Sequence, residues 1–280
     1  MVRIRRPSLH RPDGAAFALA GMIVGLVVFI LVLEVLSPGH PARAHRQPAD
    51  SAPAIVELPD FARIRGVEDR KGEFFGFLHP IIEAENARVA EQRRRMLALR
   101  QDFCARPQLA VAELIWLQKL AREYELPWFS PDREADWHEL EIRVDLVPAP
   151  LALAQAALES AWGTSRLARL SLGLFGEYCF RAGGGIVPEN REPGDIREFR
   201  VFESVDAAVR SYIHNLNTLP VYRLFWLLRA QQREAGERLD SHVLAAGLLY
   251  YSELREEYVR AVRRMLHDNR RSFARLEPLI

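Results

Sequence analysis

The chain has 280 residues, 49% of them hydrophobic, so it can bury a sizeable core, and its length allows one or two domains. Its 38 Lys and Arg stand against 37 Asp and Glu, which removes any global electrostatic case for nucleic acid as a partner. Two cysteines, Cys104 and Cys179, with no CxxC or HxxxH spacing, exclude a disulfide framework and structural zinc; at most one bond forms, and no metal or organic cofactor is expected.

From Ala15 to Leu33 the run AAFALAGMIVGLVVFILVL carries no charge. As a helix it would span roughly 28 Å at about 1.5 Å per residue, which is membrane length. Arg3, Arg5, Arg6 and Arg11 precede it, and the positive-inside rule leaves residues 1–14 in the cytoplasm and everything after residue 36 outside. The expectation is a single-pass inner-membrane protein, anchored through residues 15–36, with its C-terminal domain in the periplasm. A cleaved signal peptide is the competing reading, because Ala42-Arg43-Ala44 has small residues at peptidase spacing; Pro41 and the nearby basic residues favour a retained anchor. Residues 37–60 are rich in Pro and Ala and form a linker.

Residues 61–130 read as a helical segment. Ile82, Val89, Met96 and Phe103 recur every seven residues and make one narrow apolar stripe, while Arg93, Arg94 and Arg95 are expected on a solvated face. A second helix places Leu109, Ala112, Trp116 and Leu120 on one side, with Trp116 in the core. Residues 131–280 form the main domain. A helix entered through Pro148 and Pro150 runs from Ala149 to Trp162; Gly163 ends or bends it, and Thr164 or Ser165 caps the next. Three consecutive glycines and the alternation Arg197-Phe199-Val201 then predict a short hairpin with a loop, before helical spacing resumes at Val205, Ala208, Val209, Tyr212 and Leu216.

One carboxylate stands out. Glu159 is the first acidic residue after Asp145 and sits among alanines and leucines, with Gln155 one turn before it and Trp162 one turn after on the same face. Desolvation raises a carboxyl pKa, and a glutamic acid protonated near neutral pH is what a general acid for glycosidic cleavage requires. Pairing with Arg166 or Arg169 is the structural alternative.

The stretch LALAQAALESAWGTSRLARLSLGLFGEYCF, with DFARIRGVEDRKGEFFGFLHPIIEAEN, RVDLVP, NLNTLPVY and GLLYYSELREEYV, closely resembles the Bax-like branch of the glucosaminidase superfamily, which is related to flagellar and autolysin endo-β-N-acetylglucosaminidases. The resemblance implies a mainly α (α+β) fold, a lysozyme-like helical domain with a small β-lobe, and a saccharide groove between them. It also implies cleavage of the β-1,4 bond after N-acetylglucosamine in peptidoglycan glycan strands, and it carries the catalytic acid onto Glu159. Gln155, Trp162, Phe175 and Tyr258 are expected to bind substrate. Glycosidases commonly need a second carboxylate; of Glu177, Glu189, Asp195 and Glu198 near the β-lobe, Glu198 in the strand-like REFRVF is the first choice. Three positions depart from the family pattern: Gly184 where relatives often carry a second cysteine, Leu219 in place of a histidine, and Leu254-Arg255 in place of an Arg-Gly pair. A non-catalytic wall-binding scaffold and a lytic transglycosylase remain as alternatives, and protein partners are not indicated.

Overall fold

The computed structural model describes residues 55–179, 183–188, 191 and 194–276. Residues 53–280 pack as one unit. The expected cytoplasmic tail, membrane segment and most of the linker lie outside the described residues, as do Glu189 and the last four residues. No helix among the described residues is long and apolar enough to cross a membrane.

The class is mainly α. Helix α1 (Val67–Ala105) is followed by α2 (Val111–Glu123), α3 (Glu134–Arg143) and α4 (Ala149–Ser160), then the short α5 (Arg166–Ser171). The chain next forms three short strands, β1 (Tyr178–Cys179), β2 (Gly185–Ile186) and β3 (Glu198–Arg200). It returns to helix in α6 (Val205–Thr218), α7 (Arg223–Glu234), α8 (Ser241–Leu244), α9 (Glu256–Asp268) and α10 (Arg270–Leu276). The expected apolar stripe is real: Ile82, Val89 and Met96 are buried, and Phe103 lies 6.3 Å from the Trp137 ring. Helix α1 serves two cores with it. Phe74, Phe75, Leu78 and Ile82 join the main core with α4 and α6, while Met96 and Leu99 join a smaller one with α2 and α3. The residues on either side of position 130 therefore share packing through one continuous helix.

Arg93 departs from the solvated face expected of it. Its side chain is largely buried and donates to the carbonyls of Glu141 and Val144 at the end of α3. Helix C-termini leave carbonyls without intrahelical partners, and a nearby guanidinium satisfies them. Arg229 does more of the same work from α7. It is fully buried and donates to the carbonyls of Ile142 (2.8 Å), Arg143 (3.2 Å), Asp145 (3.1 Å) and Leu146 (2.9 Å) and to Asn217 Oδ1 (2.7 Å). Burial pulls its pKa down to about 10. Burial also works to raise the Asp145 carboxyl, but Arg229, Arg233 and Arg93 outweigh it and hold the group below the usual range. The connector fixed in this way leads directly into α4. Asn86 on α1 pins it from the other side, exchanging two hydrogen bonds with the backbone of Val147 (2.8 and 3.2 Å).

The β-lobe is a three-stranded antiparallel sheet in the order β1-β3-β2, with β3 central, rather than a single hairpin. Phe199 pairs with Tyr178 on one side and Ile186 on the other. Gly185 has to be glycine, because a Cβ there would lie 2.2 Å from the Phe199 carbonyl oxygen.

Arg255, where the resemblance leads one to expect glycine, has φ +46° and ψ −111°, a backbone region that L residues avoid. Such a residue costs of order 1–3 kcal/mol. Replacing Arg255 by glycine relieves that strain, while glycine's greater unfolded-state freedom takes back roughly 0.5–1 kcal/mol. Arg255→Gly should raise the melting temperature by a few degrees; a fall in a thermal melt would show that the arginine is worth more than its backbone costs.

Candidate active site

Helix α4 ends at Ser160, and the next three residues all have positive φ: Ala161 (50°), Trp162 (61°) and Gly163 (70°). For the two non-glycine residues this costs roughly 1–2 kcal/mol each. The turn is held by local bonds. Gly163 donates to Ser160 Oγ (2.8 Å), which itself donates to the Ala156 carbonyl (2.6 Å), and the Ser165 hydroxyl caps α5 by accepting from Ala168 N (3.1 Å). Trp162 is half-buried with its ring against Phe74 (5.9 Å) and Phe75 (5.2 Å), so it fastens this reversal to α1. A Cβ on Gly163 would meet the Phe61 ring at 2.6 Å. The strained turn directly after Glu159 is therefore built on purpose-shaped packing, a pattern that strained backbone shows at functional sites.

Glu159 itself is half-buried. Burial raises its pKa, and the nearby Tyr258 hydroxyl on α9 partly counters this. Gly176 of the LFG stretch faces the carboxyl. Its φ is +67° and a Cβ would stand 3.0 Å from Glu159 Oε2, so both the backbone and the space above the acid require glycine. Behind Glu159 lie Gln155, fully buried, Tyr212 and Tyr258. Tyr212 donates to Gln155 Oε1 (2.8 Å), and Gln155 Nε2 donates to the Tyr258 oxygen (2.9 Å). Phe175 is also buried, stacked on Tyr212 with centroids 3.9 Å apart, and its carbonyl accepts from Tyr251 (2.7 Å). Of the four residues expected to touch substrate, Gln155, Phe175 and Tyr258 thus form the wall behind the acid and Trp162 its fastening.

A second carboxyl shares the small cavity lined by Glu159, Gly176, Phe199 and Arg200: Glu177. Its Oε2 accepts from Ser211 Oγ (2.7 Å) and Asn215 Nδ2 (2.8 Å), with Arg200 3.8 Å away, while its buried Oε1 has no partner among the described residues. Burial dominates and pushes the group up to about 7. Glu198 sits differently. Both its oxygens are taken, by the amides of Gly183 (3.0 Å) and Gly185 (2.9 Å), and these bonds hold it below the usual carboxylate range. Asp195 pairs with Arg197 on the exposed side. Sequence reasoning grouped Glu177 with three other carboxylates; the separating signal is Ser211 and Asn215, one turn apart on α6. No group of three or more His, Cys, Asp or Glu among the described residues could hold a metal ion.

The Glu177 pKa has a consequence for stability. A carboxyl raised on folding favours the native state fully below the unfolded value near 4.5, and that contribution is lost as pH rises through about 7. Glu177→Gln removes the titration. The unfolding free energy of the variant minus that of the wild type should climb by about 3 kcal/mol between pH 4.5 and pH 7 and then flatten. Urea titrations across this range check it; a difference independent of pH would mean that Glu177 stays ionised.

The family model described as mannosyl-glycoprotein endo-beta-N-acetylglucosaminidase matches residues 135–270, which hold α4, the β-lobe and the helices behind Glu159. Over 217 residues the chain is 31% identical to "Protein bax" of Escherichia coli (strain K12), a match covering 78% of this chain and 76% of that protein. No solved structure matches.

Proposed function

The chain belongs to the Bax-like branch of the glucosaminidase family, and from that premise we propose that it is a peptidoglycan hydrolase cleaving the β-1,4 bond after N-acetylglucosamine, with Glu159 as general acid. The observation that carries this reading is a half-buried carboxyl whose pKa is raised by burial, at the end of a helix, under a glycine that leaves the space above it open. A glycosidic oxygen needs a proton as its bond to the anomeric carbon breaks, and a carboxyl that burial holds above its ordinary value keeps that proton to a higher pH than a solvated one. Water then adds its oxygen to the anomeric carbon. In this reading Glu177 rather than Glu198 takes the proton released by that water, because Glu177 Oε1 is uncommitted beside the same cavity whereas both oxygens of Glu198 are occupied by backbone amides. Glu198 is the anchor of the glycine loop.

The uncharged run from Ala15 to Leu33 supports a chain retained in the inner membrane, its linker allowing the domain to search the wall from the periplasmic side. In fractionated cells the protein should stay with membranes and begin near Met1; a soluble chain starting at His45 would overturn the anchor.

Incubating the full chain with purified sacculi tests the activity. A hydrolase releases soluble fragments in proportion to time and enzyme. Co-sedimentation with the sacculi and no release would make the chain a wall-binding scaffold instead.

A further inference from the structure

Glu177, directly before β1, has two unlike oxygens. Hydrogen-bearing groups converge on Oε2: Ser211 Oγ lies 2.7 Å away and Asn215 Nδ2 2.8 Å away, one turn apart on α6, and the Arg200 guanidinium of β3 stands at 3.8 Å. Oε1 is buried and meets no partner among the described residues. Arg200 also fixes the direction of the serine. Its Nη1 donates to Ser211 Oγ (2.9 Å), and a guanidinium can only donate, so Ser211 accepts there and turns its own hydrogen towards Oε2. Asn215 presents its amide nitrogen, another donor. A proton on Oε2 would face these hydrogens and forfeit both bonds.

We propose that Ser211, Asn215 and, through Ser211, Arg200 are positioning residues for Glu177: they keep Oε2 as the accepting oxygen in both charge states, so that the exchangeable proton comes and goes at Oε1. A neutral carboxyl accepts hydrogen bonds at its carbonyl oxygen and donates from its hydroxyl, so donors fixed on one oxygen select where the acid hydrogen sits. This rests on the reading of Glu177 as the base, and it says which of its oxygens carries the proton. Glu177 shares its cavity with Glu159. When water gives its oxygen to the anomeric carbon, its proton passes to Oε1 of Glu177 and the proton of Glu159 goes to the departing glycosidic oxygen, which leaves one carboxyl neutral and the other ionised. The charged and titratable groups around Glu177 are Arg200 on β3, Glu159 on α4, Tyr212 on α6 and Tyr222 just before α7. Changing Ser211 leaves all of them in place.

Infrared difference spectra of the full chain, taken on either side of pH 7 where Glu177 titrates, read the carbonyl stretch of the neutral group, assigned by its loss in Glu177→Gln. A hydrogen bond accepted by a carbonyl oxygen weakens the C=O bond and lowers that frequency. With the proton at Oε1 the carbonyl oxygen is Oε2, which accepts two bonds, so the band should lie low and Ser211→Ala should raise it. The same variant removes a donor that favours the charged form, so the titration midpoint should move up by roughly one pH unit, the worth of one hydrogen bond to a charged group. Ser211→Thr, which keeps the hydroxyl, should restore both. Asn215→Ala is an independent variant and should act in the same direction. A band at the frequency of an unbonded carboxyl that ignores Ser211→Ala would put the proton on Oε2, and a lowered melting temperature with an unmoved midpoint would reduce Ser211 and Asn215 to packing; either result overturns the proposal. Neither measurement needs substrate. If band and midpoint follow Ser211 while the acid limb of kcat/KM does not, or no glycan is cleaved, the positioning stands and the reading of Glu177 as the base fails instead.

Discussion

Replacing Glu159 by glutamine is expected to cut glycan turnover by roughly a hundredfold to ten-thousandfold, the usual contribution of a positioned general acid, while the protein still folds and binds glycan. The amide keeps the shape of the side chain, but it has no acidic proton to transfer. Stability should hold or rise. Burial is the main influence on this carboxyl, and a neutral amide relieves the desolvation that an ionised group suffers there. If Glu159 were instead a structural ion-pair partner of Arg166 or Arg169, the same change would lower the melting temperature and leave cleavage intact. Turnover and a thermal melt on one purified variant separate the two readings.

The largest effect on stability is expected at Arg229, which does not line the cavity at Glu159. Arg229→Met should destabilise the fold by about 3–5 kcal/mol, the usual result of removing one partner from a buried charge network. Four backbone carbonyls and the Asn217 side chain lose their donor at once, and Asp145 loses a buried counter-charge. For a unit of this size that corresponds to a fall in melting temperature of roughly 6–20 °C. Lysine at 229 keeps the charge but not the planar fork, so Arg229→Lys should recover only part of the loss. A melting temperature within a degree or two of wild type for Arg229→Met would mean that the connector into α4 is held by Arg93, Arg233 and Asn86 alone.

The contrast between these two residues shows what was legible in the sequence. Glu159 could be found because its neighbours in the chain are its neighbours in space: Pro148, the alanines of α4 and the Ser165 cap are all local signals, and the structure uses each where it was read. Helix α4 ends two residues before Trp162, because Ala161 and Trp162 adopt left-handed backbone that no propensity favours. Arg229 gave no such signal. Its acceptors are carbonyls 83 to 87 residues earlier, and a carbonyl leaves no mark in the sequence. Helical spacing did put Gln155 on the face of Glu159, yet whether that face met substrate or core depended on α6 and α9, which supply Tyr212 and Tyr258 from 57 and 103 residues away. Partners elsewhere in the chain also hid the difference between Glu177 and Glu198. Both sit in polar, glycine-rich sequence; one is sealed against Ser211 and Asn215, and the other is wrapped by the amides of Gly183 and Gly185. The sheet order was beyond reach for a related reason, since two-residue strands carry no alternation from which register could be read.

The identity of the sugar at the newly formed reducing end tests the central claim most directly. Purified sacculi are digested with the full chain, the products are reduced with borohydride, and the terminal sugar alcohol is identified by mass spectrometry. Cleavage after N-acetylglucosamine by water, with Glu159 donating the proton, predicts N-acetylglucosaminitol at the new ends from wild-type protein and none above background from Glu159→Gln. Anhydro-muramic ends, muramitol ends, or equal yields of N-acetylglucosaminitol from both proteins would contradict it.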